Sequence, residues 1–144
     1  MNYIYPAKFA KENDGYTVTF RDVPQAITQG DNLDQALINA ADALEEAIAA
    51  YIDDGLPIPT HSKPKKGERC ISLPAQTAFK AAIYQLANQQ HVSKSELARR
   101  LDVDEKEARR ILDPHHETKV RRMEAALKAL GGELHFTFAN NHLT

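Results

Sequence analysis

Cysteine is scarce in this sequence: Cys70 is the single cysteine among 144 residues. One cysteine rules out an internal disulfide and favours a reducing compartment such as the cytoplasm. Apolar runs are short, and none approaches the roughly 20 residues that cross a bilayer. The first three residues, Met1-Asn2-Tyr3, lack the charged-then-apolar shape of a signal peptide. We therefore expect a cytoplasmic protein that does not bind a membrane, with Cys70 as a small buried apolar residue.

Recognisable catalytic and cofactor-binding patterns are also missing. The sequence has no Ser/His/Asp grouping, no glycine-rich phosphate loop and no zinc-type spacing, and residues 115–117 (His-His-Glu) alone offer too few ligands for a metal. Four acidic residues could act as the paired carboxylates of a metal nuclease. They are Asp22, Asp31, Asp53 and Asp54. Because the last three are better explained by the ends of a helix, we expect neither an enzyme nor a metal or other cofactor.

Charge is unevenly distributed, although the net charge is only −2. Residues 1–59 hold 3 basic and 10 acidic side chains, whereas residues 60–144 hold 15 and 10. This asymmetry suggests two partners of opposite charge: a cationic protein for the acidic part and nucleic acid for the basic part. Two small domains can also differ in charge by chance, so the sequence motifs must show whether the asymmetry reflects two partners.

The first part of the chain has the pattern of a small antiparallel sheet. Aromatic residues recur with strand spacing in residues 2–9, where Pro6 predicts an edge or bulged strand. Asp14-Gly15 is typical of a tight hairpin turn. Residues 16–20 and 25–29 follow as two further short strands.

A long helix and a fourth strand complete this pattern. Asn32 favours a helix start, and Gln35 three residues later predicts an amide version of the capping box. The helix is rich in alanine on one face, which lets it lie close to a sheet, and Asp53-Asp54-Gly55 ends it. Residues 69–73 predict a strand that returns to the same sheet.

Four segments of this region resemble the HicB antitoxin family. They are a strand ending in Asp-x-Pro (residues 16–24), a Thr-Gln-Gly turn (residues 27–32), the alanine-rich helix (residues 36–51) and a loop (residues 56–59). The resemblance implies a βββαβ domain, described for the family as a partial RNase H-like fold. It also implies a partner, the small HicA toxin, which cleaves RNA and has a fold like a double-stranded-RNA-binding domain. The acidic charge is consistent with covering such a basic protein.

Residues 92–112 are typical of two short helices joined by a tight turn. Ser93 and Asp104 each precede a glutamate by three residues, which is the pattern of a capping box. Asp102 falls in the turn, where the chain takes a positive φ that Asp tolerates better than most residues other than glycine. The segment resembles the Cro/CI-type helix-turn-helix family, whose second helix enters the major groove of DNA. One branch of the HicB family carries such a C-terminal unit, so the resemblance covers nearly the whole chain.

Further elements flank this unit. Residues 75–88 have helical spacing, and Thr118 is expected to cap a last helix that ends at Gly131. Its inward residues are Val120, Met123, Leu127 and Leu130. Residues 134–138 alternate as a final strand, which we expect to pair with its copy in a second chain or with the front sheet. A two-fold homodimer, or a tetramer where dimers pair, would place two reading helices about one helical turn apart on a near-palindromic operator.

Seven side chains are candidate DNA contacts. They are Lys94, Ser95, Glu105, Lys106, Arg109, Arg110 and Lys119. The family resemblance places Lys94 and Ser95 at phosphates, where Arg109 and Lys119 are also expected. It places the other three at base edges, since Lys or Arg suits guanine and Glu accepts from cytosine. A free surface side chain is the alternative at each position.

We interpret the chain as an α+β protein with two domains. The first is a toxin-binding domain (the front half, residues 1–73), and the second is an all-α helix-turn-helix domain that ends in a short strand (the helical half, residues 74–144). The expected function is that of a type II antitoxin that occludes a HicA-type mRNA-cleaving toxin and represses its own operon by binding operator DNA. A stand-alone helix-turn-helix regulator with an N-terminal sensor domain and a weak nuclease are the alternatives. The sequence does not identify the toxin-contacting side chains.

Overall fold

The computed structural model describes residues 1–140, and within them one antiparallel sheet of four strands forms the front half. The strands are β1 (Ile4–Glu12), β2 (Gly15–Thr19), β3 (Ile27–Gly30) and β4 (Glu68–Ser72), in the spatial order β3-β2-β1-β4. The predicted hairpin joins β1 to β2, with Glu12 paired to Gly15 across a two-residue turn. The predicted order of three strands, one helix and a fourth strand is confirmed.

Helix α1 (Leu33–Asp53) packs on this sheet. Asn32 caps its start, accepting a hydrogen bond from the Gln35 backbone N at 2.8 Å. The Gln35 side chain donates to Asn39 instead of returning to Asn32, so only half of the expected capping box forms. A Cβ at Gly30 would lie 2.4 Å from the Ala36 backbone N, which shows how closely β3 approaches the helix. The helix ends as predicted before Gly55, whose φ is +67°.

The first hydrophobic core lies between α1 and the sheet. Its largest members are Tyr5, Phe20, Leu44, Ile48 and Ile71, all less than one-tenth exposed. The alanine-rich face of α1 permits this close contact, because small side chains let the helix backbone approach the strands.

Two expectations about the sheet are wrong. Pro6 lies in β1, which is a central strand and not an edge. Proline is tolerated there because β1 pairs only with β4 at this point; its pairing with β2 extends no further than Lys8. Cys70 is exposed instead of buried, since Ile71 takes the inward-facing position of β4.

Four further helices form the helical half within the described residues. They are α2 (Ala75–Gln89), α3 (Lys94–Leu101), α4 (Glu105–Leu112) and α5 (Val120–Ala129). Their shared core is built on Phe79, Ile83, Leu97, Ile111 and Met123. This second core is separate from the first, although α2 contributes residues to both.

Helix α2 therefore joins the two halves. Its Ala81 and Tyr84 pack into the first core. The Tyr84 hydroxyl donates to the Leu56 carbonyl at 2.9 Å, and the Thr77 hydroxyl donates to Glu45 at 2.9 Å. The helical half is thus bound directly to α1 and to the loop that follows it.

Two expectations about α5 are wrong, and one about the residues that follow it is confirmed in no part by the single copy. Thr118 does not cap α5, because Lys119 takes that position and the Thr118 side chain is buried. Val120 is 48% exposed at the first turn of α5. Residues 134–138 form no strand in the described part of this single copy and do not pair with the front sheet, whereas pairing with a second copy stays a prediction. Residues 141–144 lie outside the described residues.

No helix in residues 1–140 combines the length and apolar character needed to cross a bilayer.

Candidate nucleic-acid interface

Local signals in the sequence start helices α3 and α4 and form the turn between them. The Ser93 hydroxyl accepts from the Glu96 backbone N at 3.1 Å, and the Asp104 carboxylate accepts from the Glu107 backbone N at 2.8 Å. Between the helices, Asp102 takes the left-handed conformation with φ 54° and ψ 47°. Both predicted helix starts and the predicted positive φ in the turn are confirmed.

The two capping boxes form only in part, because arginines compete for the glutamates. Glu96 binds Arg99 at 2.5 Å and Arg100 at 3.0 Å instead of returning to Ser93. These two guanidinium groups lower the pKa of Glu96 to about 2. Glu107 likewise faces Arg110 at 3.8 Å and Arg122 at 3.7 Å. Glu96 therefore offsets part of the charge of Arg99 and Arg100 within α3.

All seven candidate DNA contacts are exposed. Within residues 1–140, the three lysines Lys94, Lys106 and Lys119 make no ion pair. Arg109 and Arg110 make only long ion pairs with Glu105 and Glu107, at 3.9 and 3.8 Å. Because both arginines are exposed, a phosphate could replace the glutamate as their partner. The surface of α4 therefore offers cations that are free to bind an anion.

A cleft brings four of these candidates together. Its volume is about 820 Å³, and one wall carries Lys94, Lys106, Arg109 and Arg110. Tyr84, Ala87, Val92 and Leu112 line it as well. Ile52 and Asp53 from the end of α1 also line the cleft, which the sequence did not predict. The other three candidates, Ser95, Glu105 and Lys119, do not line it.

Three ligating side chains meet beside this cleft. Asp53, Asp113 and His115 place one ligand atom each within 4.8 Å of one another, and all three are exposed. His115 Nε2 lies 2.6 Å from Asp53 Oδ2, and the His115 backbone N donates to Asp113 Oδ1 at 2.9 Å. The Asp53 carboxylate raises the pKa of His115 above its ordinary value. One imidazole and two carboxylates could in principle bind a divalent cation, but they fall short of the four ligands of a structural zinc site.

A buried lysine fixes the end of α4. Lys80 is fully buried, and its ammonium donates to the Arg110 carbonyl at 2.7 Å and to the Thr118 hydroxyl at 2.5 Å. Burial lowers the pKa of Lys80 to about 8, although Asp113 and Glu107 act in the opposite direction. Sequence reasoning missed this residue, because a lysine at helical spacing is indistinguishable from a surface lysine until the neighbouring helices are placed.

The acidic residues considered for a nuclease do not form one cluster. Asp22 accepts hydrogen bonds from the Ser62 backbone N at 2.8 Å and from its hydroxyl at 2.7 Å, so this carboxylate holds the loop after α1. The group of three ligating residues found among residues 1–140 includes Asp53, but neither Asp22 nor Asp31.

Comparison with known proteins connects both halves to one family. The model of the HicB-like antitoxin of bacterial toxin–antitoxin systems matches residues 2–82. Antitoxin HicB 2 of Photorhabdus laumondii is 40% identical over 133 residues, which cover 92% of this chain and 94% of that protein. Antitoxin HicB of Escherichia coli K12 is 37% identical over 83% of this chain and 87% of its own length. Antitoxin HicB of Pseudomonas fluorescens is 34% identical over 88% of each.

Proposed function

The chain belongs to the HicB-like antitoxin family of bacterial toxin–antitoxin systems, and we propose that it binds and occludes a HicA-type mRNA-cleaving toxin and represses its own operon. The observation that carries this proposal is the family match over residues 2–82, which spans the whole front half. Relatives named as HicB antitoxins align over most of the chain, so the helical half is shared with them as well.

We assign toxin binding to the front half. Occlusion requires a rigid surface of suitable shape and charge and no reaction by this chain, so the proposed role is not enzymatic. The sheet and α1 supply such a surface, because their common core is closed by large buried residues such as Tyr5, Phe20 and Leu44. We place this activity in the cytoplasm, where a toxin that cleaves mRNA would act.

We assign operator binding to the helical half. The capped helices α3 and α4, with a left-handed residue between them, match the requirements of a helix-turn-helix, in which the second helix lies in the major groove. On α4, Lys106 and Arg110 are exposed and suited to guanine edges, while Arg109 of α4 and Lys119 at the start of α5 suit phosphates. A homodimer, or a tetramer of paired dimers, would present two such helices to a two-fold symmetric operator.

Co-expression with the neighbouring reading frame tests toxin binding. A tagged copy of this chain should capture a small basic protein encoded there, and the purified complex should not cleave RNA although the released partner does. Absence of any such partner, or a complex that still cleaves RNA at full rate, would overturn the antitoxin assignment.

A gel-shift experiment with the DNA upstream of the gene tests repression separately. The chain should bind this fragment far more tightly than a scrambled fragment of equal length at physiological salt. Equal affinity for both fragments would show that the helical half is not a specific DNA reader.

A ligand-sensing regulator is the second candidate, because the cleft of about 820 Å³ has the size of a small-molecule site.

A further inference from the structure

Helix α1 presents a row of four exposed residues on the side opposite the sheet. They are Asp34, Ile38, Asp42 and Glu46, each four positions from the next. A helix rises 1.5 Å per residue, so neighbouring members are about 6 Å apart along the axis. Ile38 is 57% exposed, although it is a large apolar side chain. We call this row the acidic ridge.

The ridge carries charge that the chain leaves unbalanced. Within the described residues, Asp34, Asp42 and Glu46 take part in no ion pair and no side-chain hydrogen bond, and none of the 21 residues of α1 is basic. The glutamates of α3 and α4, in contrast, all face arginines. Like charges four residues apart, such as Asp42 and Glu46, destabilise a helix. Asp34 lies in the first turn, where the helix dipole favours a carboxylate, but the stability of α1 does not explain Asp42 and Glu46.

An exposed isoleucine surrounded by carboxylates has the composition of a docking surface. Interfaces typically place an apolar anchor at the centre and charged groups around it. The anchor here is Ile38, and its neighbours in the row are Asp34 and Asp42. The fitting partner is a cationic protein surface.

We propose that the acidic ridge is the surface that binds the toxin, and that its carboxylates take the positions of RNA phosphates on the toxin. The proposal rests on the antitoxin function proposed above and adds the site and the mode of inhibition. A protein that cleaves mRNA must present Lys or Arg to the phosphate backbone. Three carboxylates, whose positions are about 12 and 6 Å apart along the helix axis, compete for those cations directly, and Ile38 supplies apolar contact that RNA cannot.

Other surfaces of the chain fit a cationic partner less well. The sheet carries the exposed cations Lys8, Lys11 and Arg69. The helical half has an excess of basic residues and presents Lys94 and Lys106 on its cleft. Both would repel the toxin, whereas α1 has no basic residue to offset its acids.

The test replaces the three carboxylates by isosteric amides in one variant, Asp34→Asn, Asp42→Asn and Glu46→Gln. The matched control neutralises three exposed acids elsewhere, Asp14→Asn, Asp31→Asn and Glu117→Gln. Binding to the purified toxin is measured by calorimetry at physiological salt. The ridge variant should bind about 100-fold more weakly and the control within a factor of about 3, since the effects of removing three charge pairs of moderate strength multiply.

Two further measurements separate the possible outcomes. Wild-type inhibition of RNA cleavage should be competitive with RNA, and Ile38→Ala should weaken binding even though it leaves the charge unchanged. Unfolding temperatures of the ridge variant and the control should stay close to that of the wild type, because the lost repulsion between Asp42 and Glu46 offsets the lost dipole interaction of Asp34. A ridge variant that binds as tightly as the wild type overturns the ridge and leaves the antitoxin function intact. A wild type that does not bind the toxin overturns both.

Discussion

His115 Nε2 lies 2.6 Å from Asp53 Oδ2 and joins the end of α1 to the loop that follows α4, across 62 positions of sequence. Asp53 is the last residue of α1, where the partial negative charge of the helix dipole makes a carboxylate unfavourable. The Asp53 carboxylate raises the pKa of His115 and so favours the protonated imidazole, which would offset this unfavourable charge. This contact therefore holds the front half against the helix that carries the candidate DNA contacts.

The Asp53–His115 contact predicts a pH-dependent contribution to stability. Because the folded pKa of His115 is raised above 6.5, the contribution is fully present below about pH 6.5 and is lost as the pH rises through the raised value. His115→Gln should lower the unfolding temperature by about 1–3 °C at acidic pH and have little effect near pH 9, since both groups are exposed. Differential scanning fluorimetry measures this, with His116→Gln as the matched control. Equal effects of both variants at acidic pH would contradict the ion pair.

The buried Lys80 predicts a large loss of stability when its ammonium is removed. Lys80→Met removes the ammonium that donates to the Arg110 carbonyl and the Thr118 hydroxyl. The Arg110 carbonyl still accepts from the Asp113 backbone N at 3.2 Å, so we expect a total loss of about 1–3 kcal/mol. Urea unfolding should show this loss, whereas Lys128→Met on the exposed face of α5 should change the free energy of unfolding by less than about 0.5 kcal/mol.

A double variant separates lost hydrogen bonds from lost packing. Lys80→Met combined with Thr118→Val removes both the donor and one acceptor, so it should be less destabilised than the sum of the two single variants. Strictly additive effects would show that the two side chains act independently.

Local signals account for the parts of the fold that sequence reasoning predicted. The hairpin at Asp14-Gly15, the caps at Asn32 and Ser93, and the positive φ at Asp102 each depend on one or two residue types in a fixed local position. The pairing of β1 with β2 and of β2 with β3 follows from alternation together with short connections, whereas β4 pairs with β1 across α1 and is not placed by a local signal.

Contacts between distant residues account for what was missed. The Glu96 carboxylate is within reach of both the Ser93 backbone N and the Arg99 side chain. It binds Arg99 because the opposite charge favours that contact, which residue spacing alone does not predict. The partners of His115 and Lys80 lie 62 and 38 positions away, so no local pattern reveals them. Helical spacing placed the candidate DNA contacts of α4 on a helix, but it could not reveal the cleft wall formed by α1.

The turn residue Asp102 predicts a stabilising substitution. An L-residue in the left-handed region costs up to about 1–2 kcal/mol, and glycine avoids this cost. Asp102→Gly should raise the free energy of unfolding by up to about 1 kcal/mol, and Asp102→Val should lower it, because a β-branched side chain is least compatible with φ 54°. His91 also has a φ of 54°, so His91→Gly tests the same effect at a second position. A loss of stability with glycine at both positions would contradict the assigned backbone conformation.

The exposed cations of α4 predict a separation of the two activities. Lys106→Ala with Arg110→Ala should abolish specific operator binding and leave toxin binding unchanged, because the substituted residues are far from the acidic ridge in the chain. Arg109→Ala and Lys119→Ala, which remove the expected phosphate contacts, should each reduce the slope of log affinity against log salt by about 0.9. Lys128→Ala is the control.

Substitution of Asp53 is expected to have the opposite effect on operator affinity. Its carboxylate lines the same cleft as Lys106, so a bound phosphate would meet a like charge there. Asp53→Asn should therefore tighten operator binding in the same gel-shift assay. Weaker binding by this variant would contradict this expectation. It would indicate that Asp53 helps to position α4 and that this effect exceeds the repulsion between its carboxylate and DNA.

The exposed aromatic tail predicts the oligomeric state. Phe136 packs edge-on against Phe79 with ring centroids 6.3 Å apart and stacks on Phe138 at 5.9 Å, but Phe138 remains 89% exposed. Two copies would cover these rings and could pair residues 134–138 as strands, which the single chain leaves without a neighbour. Deletion of residues 133–144 should convert a dimer to a monomer in sedimentation experiments and weaken operator binding, since each half-site would then be bound independently. Phe138→Ser should weaken the dimer without shortening the chain, and an intact chain that sediments as a monomer would refute pairing through the tail.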